Sequence, residues 1–348
     1  MKKIKWGILG PGNIAKRFTS GLAALPDTAA AYAVGSRDIG RARAFADAYG
    51  FERAYGSYAE LASDPDVDII YVATPHPQHA EAAILCLNAK KAVICEKPFA
   101  ATARQAAQMI ECARANGVFL MEAMWTRFLP TICKTRELIA GGAIGKPLHV
   151  CADFGFRADV NPNGRLFDPN AAGGSLLDVG VYNISFASMI LGAQPKRVQS
   201  HLAIGNTGVD ESASIILSYG GGRSASLYSA IRVSTTHDAA IYGEEGYIKL
   251  PAYWHGDTVL LKSSAAGWSE GEGGGKGEGE GEGNGGDREY KLPLESTGFQ
   301  YEAAEAMSCL EHGLLESPVM PLGETLAIME LLDGIRFENN LRYPFEDE

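Results

Sequence analysis

The sequence predicts an α/β protein with an N-terminal doubly wound parallel sheet and a C-terminal α+β domain built on a large, mainly antiparallel open sheet. Two observations predict this division. Residues 1–123 alternate between short apolar runs and helical periodicity, which is typical of a parallel sheet covered by helices. Residues 124–348 open with helical patterns and continue as short strands separated by glycine-rich turns.

The first part contains five predicted strands with helices between them. The strands are residues 5–9, 30–36, 68–73, 92–95 and 118–121. The helices are residues 14–25, 39–49, 79–88 and 102–116. The last helix starts with the capping pattern Thr102-x-x-Gln105 and ends at Asn116-Gly117.

The second part is predicted to begin with helices at residues 129–140 and 176–191. Six strands follow at residues 198–204, 213–219, 224–231, 239–242, 247–250 and 258–262, and two final helices at residues 301–312 and 324–339. Residues 267–290 are largely Gly and Glu and are predicted to be a mobile insertion between two strands, because they offer little apolar surface to bury.

Composition and charge exclude several classes of protein. A formal net charge of -11 argues against binding nucleic acid through a broad basic surface, because such binding uses Lys and Arg to neutralise phosphates. No apolar run approaches the ~20 residues of a membrane span, and Lys5 and Gly7 interrupt the first apolar segment, so we expect a cytoplasmic protein without a membrane segment. The six cysteines lack a disulfide or metal spacing and are interpreted as reduced core residues. The expected partner is a small molecule.

The first strand leads into Gly10-Pro-Gly12-Asn13-Ile14-Ala15, which fits the pattern G-x-G-x-x-G/A. Gly10 permits a tight turn, Gly12 lets the backbone approach a pyrophosphate, and Ala15 lets the helix pack on the strand. Asn13 and Ile14 begin the helix whose N-terminus faces the phosphates. Because the motif stands between a strand and a helix, it predicts a Rossmann domain that binds a dinucleotide.

The end of the second strand indicates which dinucleotide is bound. An NAD site usually has a carboxylate there, whereas this chain has Ser36 and Arg37 and only then Asp38. A hydroxyl and a guanidinium suit a 2′-phosphate, so NADP is the expected cofactor and NAD is less favoured. In the alternative interpretation, Arg37 is a solvated residue that pairs with Asp38 at the start of a helix.

Two further segments follow strands at the carboxyl edge of the parallel sheet, where ligands of such sheets bind. Thr74, Pro75, His76 and His79 are predicted to contact the ribose and nicotinamide of the cofactor. The spacing His-x-x-His also occurs in zinc sites, but no third ligand with suitable spacing follows, so we expect no metal.

Glu96 and Lys97 directly follow the apolar strand at residues 92–95. Pro98 fixes the turn, and Lys97 is expected where the nicotinamide rests. A surface lysine is the alternative interpretation.

Asp178 and Tyr182 lie four residues apart on a predicted helix and therefore share one face. Two structural roles are alternatives to a role of these residues in a functional site. Ser175-x-x-Asp178 is also a capping pattern, and Tyr182 fits a core aromatic residue whose hydroxyl is satisfied.

Five segments carry a resemblance to a known family: GILGPGNIA, ATPHPQHAEAA, EKPFA, MEAMWTRF and GGSLLDVGVYNI. In this order they resemble the glucose–fructose oxidoreductase/inositol dehydrogenase (Gfo/Idh/MocA) family. MEAMWTRFLP and Tyr182 are most similar to its group of dimeric dihydrodiol dehydrogenases and NADP-dependent D-xylose dehydrogenases. The resemblance implies a homodimer or homotetramer formed through the C-terminal sheet.

The resemblance also implies roles for individual residues. It assigns catalysis to Lys97, Asp178 and Tyr182, and cofactor binding to Glu96 and Lys97 of the EKP motif. Position 182 is a histidine in many members, so the tyrosine makes sugar-acid and inositol substrates less expected. Three more residues are implied near the cofactor (Trp125 and Arg127) or the substrate (Trp125 and Phe154).

The expected reaction is hydride transfer between NADP and a carbinol carbon of a cyclic polyol, either an aldopyranose such as D-xylose or a trans-dihydrodiol. Tyr182 is the expected base, Lys97 is expected to lower its pKa, and Asp178 to orient the substrate or the lysine. Two alternatives remain open. One is an oxidoreductase that retains its nucleotide or works mainly as a reductase, and the other is a non-catalytic NADP-sensing protein.

Overall fold

The computed structural model describes residues 3–263 and 287–346, and its first part is a six-stranded parallel sheet. The strands are β1 Ile4–Leu9, β2 Ala29–Gly35, β3 Arg53–Tyr55, β4 Ile69–Val72, β5 Ala92–Glu96 and β6 Leu120–Ala123. Their order is β3-β2-β1-β4-β5-β6, so the chain reverses its direction of winding between β1 and β4. In this topology the carboxyl ends of β1 and β4 border a crevice that binds ligands.

Helices cover both faces of this sheet: α1 Asn13–Leu22, α2 Ile39–Tyr49, α3 Tyr58–Ser63, α4 His79–Asn88 and α5 Ala103–Asn116. Strand β3 and helix α3 were not predicted from the sequence. The three residues of β3 are exposed or half-buried and so lack an apolar run. The start of α3 is fixed by Ser57 and Glu60, which form a reciprocal capping box.

The second sheet has eight strands in the order β14-β13-β12-β11-β7-β10-β9-β8. They are β7 Pro147–Gly155, β8 Arg197–Ile204, β9 Asp210–Ser218, β10 Ser224–Ala230, β11 Ala239–Gly243, β12 Gly246–Leu250, β13 Thr258–Ser263 and β14 Arg288–Lys291. Only β7 and β10 pair in parallel among these strands. The sheet is therefore mainly antiparallel, as predicted, but its inner strand β7 was missed because polar His149 and Asp153 break its apolar pattern.

Four helices belong to the second part: α6 Pro130–Ala140, α7 Val181–Leu191, α8 Phe299–Glu311 and α9 Leu322–Glu338. Helix α7 packs on β7 and β10, whereas α8 packs on α1 and α9 packs on α5. The last two helices thus return to the first sheet and join both parts of the molecule.

One sequence-based expectation about apolar runs was wrong. The segment Pro169–Leu191 is long and apolar enough to match a membrane span by length and composition. Its most apolar window is 89% buried inside the protein, which identifies it as a core segment.

Two further expectations meet the structure only in part. Residues 267–286 of the predicted mobile insertion lie outside the described residues, but Arg288–Lys291 form a strand, so the end of that predicted segment is ordered against β13. The six cysteines are all unpaired; however, Cys133 is exposed and is not a core residue.

Candidate active site

A cavity of about 770 Å³ follows the carboxyl edge of the parallel sheet and reaches the second part of the chain. Most of the residues predicted to bind the cofactor line it: Gly10, Gly12, Asn13, Ile14, Ser36, Arg37, Thr74, Pro75, His76, His79, Glu96 and Lys97. Asp178 lines the same cavity, so the structure brings residues from both parts to one site.

The glycine-rich turn fits a dinucleotide. Gly10 has φ +90°, and a Cβ there would lie 3.1 Å from the carbonyl oxygen of Ala73, so this position requires glycine. A Cβ on Gly12 would meet no protein atom within 4 Å, which leaves space for a phosphate group. The first turn of α1 has neither a side-chain cap nor an acidic residue, so its N–H groups are available to an anion.

The end of β2 presents positive charge to the cavity. Asp38 accepts hydrogen bonds from the backbone N–H groups of Gly40 (2.7 Å) and Arg41 (3.3 Å), so its carboxylate caps α2. The expected alternative, a pair between Arg37 and Asp38, does not occur among the described residues. Arg37 and Arg41 both line the cavity beside the buried Ser36.

The two histidines are buried at the edge of the cavity. Both ring nitrogens of His79 face backbone carbonyl oxygens, of Pro98 at 2.9 Å and of Thr74 at 2.8 Å, so this ring joins two loops. His76 Nδ1 lies 3.3 Å from the carbonyl oxygen of Ala172, which belongs to the second part. Burial is the main cause that lowers the pKa of His76 to about 3 and of His79 to about 4.

Lys97 projects from the end of β5 toward the second part of the chain. Its Nζ donates a hydrogen bond of 2.7 Å to the backbone carbonyl oxygen of Asp178 and lies 4.6 Å from the ring centroid of Tyr182. Burial acts to lower the pKa of Lys97, but the neighbouring Tyr182, Asp178 and Glu96 outweigh it and raise the pKa. Lys97 is therefore a cation held inside the cleft and not a solvated surface lysine.

Asp178 and Tyr182 reach the site from a helix that differs from the predicted one. Leu176–Gly180 forms a π-helical turn, and α7 starts only at Val181. Ser175 does not cap this turn; its hydroxyl donates to the buried carboxylate of Asp210 at 2.8 Å. Single π-turns inside helices are frequent at functional sites.

The ionisation of Tyr182 differs from the prediction. Burial raises the pKa of Tyr182, and the opposing effect of Lys97 does not cancel that rise. The hydroxyl also accepts a hydrogen bond of 3.1 Å from Trp125 Nε1. The expectation that Lys97 lowers this pKa below its usual value is therefore wrong for the protein alone.

Asp178 is ionised and fixed. Its Oδ1 accepts a hydrogen bond of 2.8 Å from the guanidinium of Arg165. Burial opposes ionisation, but Lys97 and then Arg165 outweigh it and lower the pKa of Asp178 to about 2. Arg165 itself lines the cavity.

Aromatic rings surround Tyr182. Phe154 lies 5.4 Å from the Tyr182 ring and stacks on Trp254 at 4.9 Å. Trp125 is perpendicular to Trp254 at 6.2 Å and stacks on Phe299 at 4.7 Å. The predicted substrate residues Trp125 and Phe154 thus share one aromatic cluster with Tyr182.

Arg127 lies away from the cavity. Its guanidinium donates to the hydroxyl and carbonyl oxygens of Ser185 at 2.9 and 2.8 Å and pairs with Glu324 at 2.6 Å. These contacts join the 3-10 turn Trp125–Phe128 to α7 and α9. The structure therefore places Arg127 as a buried connector and does not bring it to the predicted cofactor position.

Arg41, Arg165 and Trp254 are among the cavity and cluster residues that were not predicted from the sequence. Arg41 lies in the first turn of α2, four residues after Arg37, and this spacing is a signal that could have identified it. Arg165 and Trp254 belong to loops without a regular pattern, so their positions depend on the tertiary fold.

Comparisons with known proteins agree with this fold. Residues 4–124 match the model of an oxidoreductase family with an NAD-binding Rossmann fold, and residues 132–249 match the GFO/IDH/MocA C-terminal domain. Trans-1,2-dihydrobenzene-1,2-diol dehydrogenase of Mus musculus is 37% identical over 351 residues, covering 98% of each chain.

Two solved structures share the fold. Levoglucosan dehydrogenase in complex with NADH and L-sorbose has a TM-score of 0.85 at 20% identity, covering 98% of this chain and 97% of that chain. A 3-ketoreductase from Actinomadura kijaniata with NADP and TDP-benzene has a TM-score of 0.80 at 24% identity, covering 97% and 98%. The matches in both parts of the chain, together with the full-length relative, show that it belongs to the GFO/IDH/MocA family of oxidoreductases.

Proposed function

We propose that this chain is an NADP-dependent dehydrogenase that oxidises a carbinol carbon of a cyclic diol or polyol. The observation that carries the proposal is the position of Lys97, which lines the nucleotide-sized cavity. Its ammonium donates to the carbonyl oxygen of Asp178 at 2.7 Å and lies 4.6 Å from the ring centroid of Tyr182. A cation beside a buried phenol is the arrangement that proton removal from a hydroxyl requires.

The lining residues divide the cavity into three regions for the cofactor. The turn from Gly10 to Ile14 and the free N-terminus of α1 would hold the pyrophosphate. Arg37 and Arg41 would hold a 2′-phosphate, since the carboxylate of Asp38 is already engaged with α2. The nicotinamide end would lie between the segment that follows β4 and Lys97. When bound, NADP supplies the hydride acceptor.

The protein's own groups move the proton. Oxidation of CH–OH to C=O removes a hydride and a proton. Tyr182, as a phenolate whose own proton has first passed to solvent, would take that proton from the substrate hydroxyl. Lys97 stabilises the negative charge that develops on the phenol and substrate oxygens. Trp125 holds the Tyr182 hydroxyl in place through the hydrogen bond of 3.1 Å.

The aromatic cluster supports a substrate with an apolar ring face. Phe154 and Trp254 form a stacked wall beside Tyr182, and such rings pack well on a six-membered carbocycle or on the C–H face of a pyranose. The mouse relative is named for a trans-1,2-diol of a dihydrobenzene ring. We therefore favour a cyclic vicinal diol and keep an aldopyranose as the second candidate.

We also propose that two copies of the chain associate through the open face of the eight-stranded sheet. Ile216, Ser226, Cys151 and Ala240 form a row across four adjacent strands on this face. Ile216 is 48% exposed and Tyr242 is 44% exposed, although both belong to regular strands. Exposed apolar side chains on this face would be covered by the same face of a second copy.

The cofactor assignment predicts a preference for NADP⁺ over NAD⁺. Arg37→Ala and Arg41→Ala should each reduce the ratio of kcat/KM with NADP⁺ to kcat/KM with NAD⁺ by roughly tenfold. The loss is modest because these charge-assisted contacts are exposed. Arg43→Ala, on the same helix but outside the cavity lining, is the control and should leave the ratio unchanged. Equal kcat/KM for both nucleotides in the unmodified protein would contradict the assignment.

The proton-transfer assignment predicts that Lys97 and Tyr182 act as a unit. Lys97→Met and Tyr182→Phe should each lower kcat by at least ~10²-fold with NADP⁺ affinity almost unchanged. In the double variant, kcat should fall by much less than the product of the two single reductions. Tyr219→Phe, a buried tyrosine outside the cavity, is the control. Near-normal turnover of Tyr182→Phe would rule out its role as the base.

The association of two copies predicts a change in mass on substitution of the open face. Ile216→Lys should convert the assembly to monomers in sedimentation velocity, because it places a charge in an apolar contact. Leu314→Lys, at an exposed leucine outside the eight-stranded sheet, should leave the assembly intact. An unmodified protein that sediments as a monomer would refute the proposal.

A further inference from the structure

Arg165 is a residue of the cavity that the proposed proton transfer does not use. It lies in the loop between β7 and the π-turn, and its side chain is 49% exposed while that of Asp178 is 12% exposed. One nitrogen, NH1, contacts Asp178 Oδ1 at 2.8 Å and His76 Nε2 at 3.4 Å. The guanidinium is thus held between the two parts of the chain.

The protonation state of His76 determines that Arg165 is the donor in this contact. His76 is neutral at ordinary pH, because burial lowers its pKa to about 3. Its Nδ1 faces the carbonyl oxygen of Ala172, which can only accept a hydrogen bond, so the network assigns the proton to Nδ1. Nε2 then carries a lone pair that accepts from Arg165.

The loop that carries Arg165 is anchored at several points. The backbone N–H of Gly174 donates to the carbonyl oxygen of Leu166 at 2.9 Å, and the hydroxyl of Tyr343 donates to the carbonyl oxygen of Gly173 at 3.3 Å. Phe167, two residues after Arg165, is buried. These contacts fix the position of the backbone from which the Arg165 side chain extends.

Arg165 determines what Asp178 can do. Without a partner, the carboxylate of Asp178 would be drawn to the neighbouring Lys97 ammonium and would neutralise it. Bound to Arg165 through Oδ1, it leaves Lys97 on the backbone carbonyl oxygen and beside Tyr182. Among the described residues, no further hydrogen-bond donor to this carboxylate is found, so Oδ2 remains available at the cavity wall.

We propose that Arg165 is a positioning residue that fixes the Asp178 carboxylate, so that Oδ2 accepts a hydrogen bond from a second hydroxyl adjacent to the reacting one. The Lys97 contact to the carbonyl oxygen of Asp178 places the ammonium and this carboxylate side by side, which suits two vicinal oxygens. The substrate class is then a vicinal diol, and this inference rests on the proposed dehydrogenase function.

The test compares a diol with its matched mono-alcohol. Initial rates with NADP⁺ give the ratio of kcat/KM for trans-cyclohexane-1,2-diol over cyclohexanol in the unmodified protein and in Arg165→Met, Arg165→Lys and Arg157→Met. Arg157 is an exposed residue of the same loop that does not line the cavity and provides the control. NADP⁺ affinity, measured by fluorescence titration, reports whether each variant keeps its folded cofactor site.

The unmodified protein should prefer the diol by at least ~10-fold, as expected for a hydrogen bond to a charged acceptor. Arg165→Met should lower this preference by about 10-fold while NADP⁺ affinity stays the same. Arg165→Lys should keep part of the preference for the diol, because lysine retains the positive charge. Arg157→Met should leave the preference unchanged. An unchanged ratio in Arg165→Met, or an equal loss for both alcohols, would overturn the role of Arg165 alone. Absence of diol oxidation by the unmodified protein would overturn the favoured diol substrate and this inference together.

Discussion

The hydrogen bond between the Lys97 ammonium and the backbone carbonyl oxygen of Asp178 is the contact on which the site depends. It connects the end of β5 in the nucleotide-binding part to the π-turn before α7 in the other part. A buried ammonium is costly unless it is paired, so the chain must bring these elements together accurately. The return of α8 and α9 to the first sheet supports this arrangement, because it holds both parts in one framework.

Charges around this contact alternate in sign. Lys97 and Arg165 are positive and flank the ionised Asp178. The buried carboxyl group of Glu96 accepts a hydrogen bond of 3.1 Å from the backbone N–H of Lys97. Burial raises the pKa of Glu96, and Lys97 opposes that rise. Burial outweighs the effect of Lys97 on Tyr182, so this phenol keeps its proton at neutral pH. In the proposed reaction, an oxidised nicotinamide ring would add positive charge beside the phenol and favour its ionisation.

Much of the fold could be predicted from local patterns. The glycine turn after β1 and the polar segments after β4 and β5 could be assigned because each follows a buried strand of a parallel sheet, whose carboxyl ends share one edge. Lys97 and Tyr182 were correctly expected to lie close together, although 85 positions of sequence separate them and only the family resemblance linked them.

Other features depend on tertiary packing and have no local signal. Strand β7 is central to its sheet, yet its alternation includes His149 and Asp153. Arg127 was placed near the cofactor, but its charge is satisfied by Glu324, which lies 197 residues later in the chain. The raised pKa of Tyr182 follows from burial, and no spacing in the sequence indicates how deeply a side chain is buried.

The central claim is that Lys97 and an oxidised cofactor together make Tyr182 a base. The most direct measurement is the ultraviolet tyrosinate absorbance of the unmodified protein minus that of Tyr182→Phe, followed against pH with and without saturating NADP⁺. Without the nucleotide, the difference should titrate above the usual tyrosine range, because burial raises the pKa of Tyr182. With NADP⁺, the same transition should move about 1–3 pH units lower, as expected for an adjacent positive charge. A transition that stays at the same pH or moves higher on addition of NADP⁺ would contradict the claim.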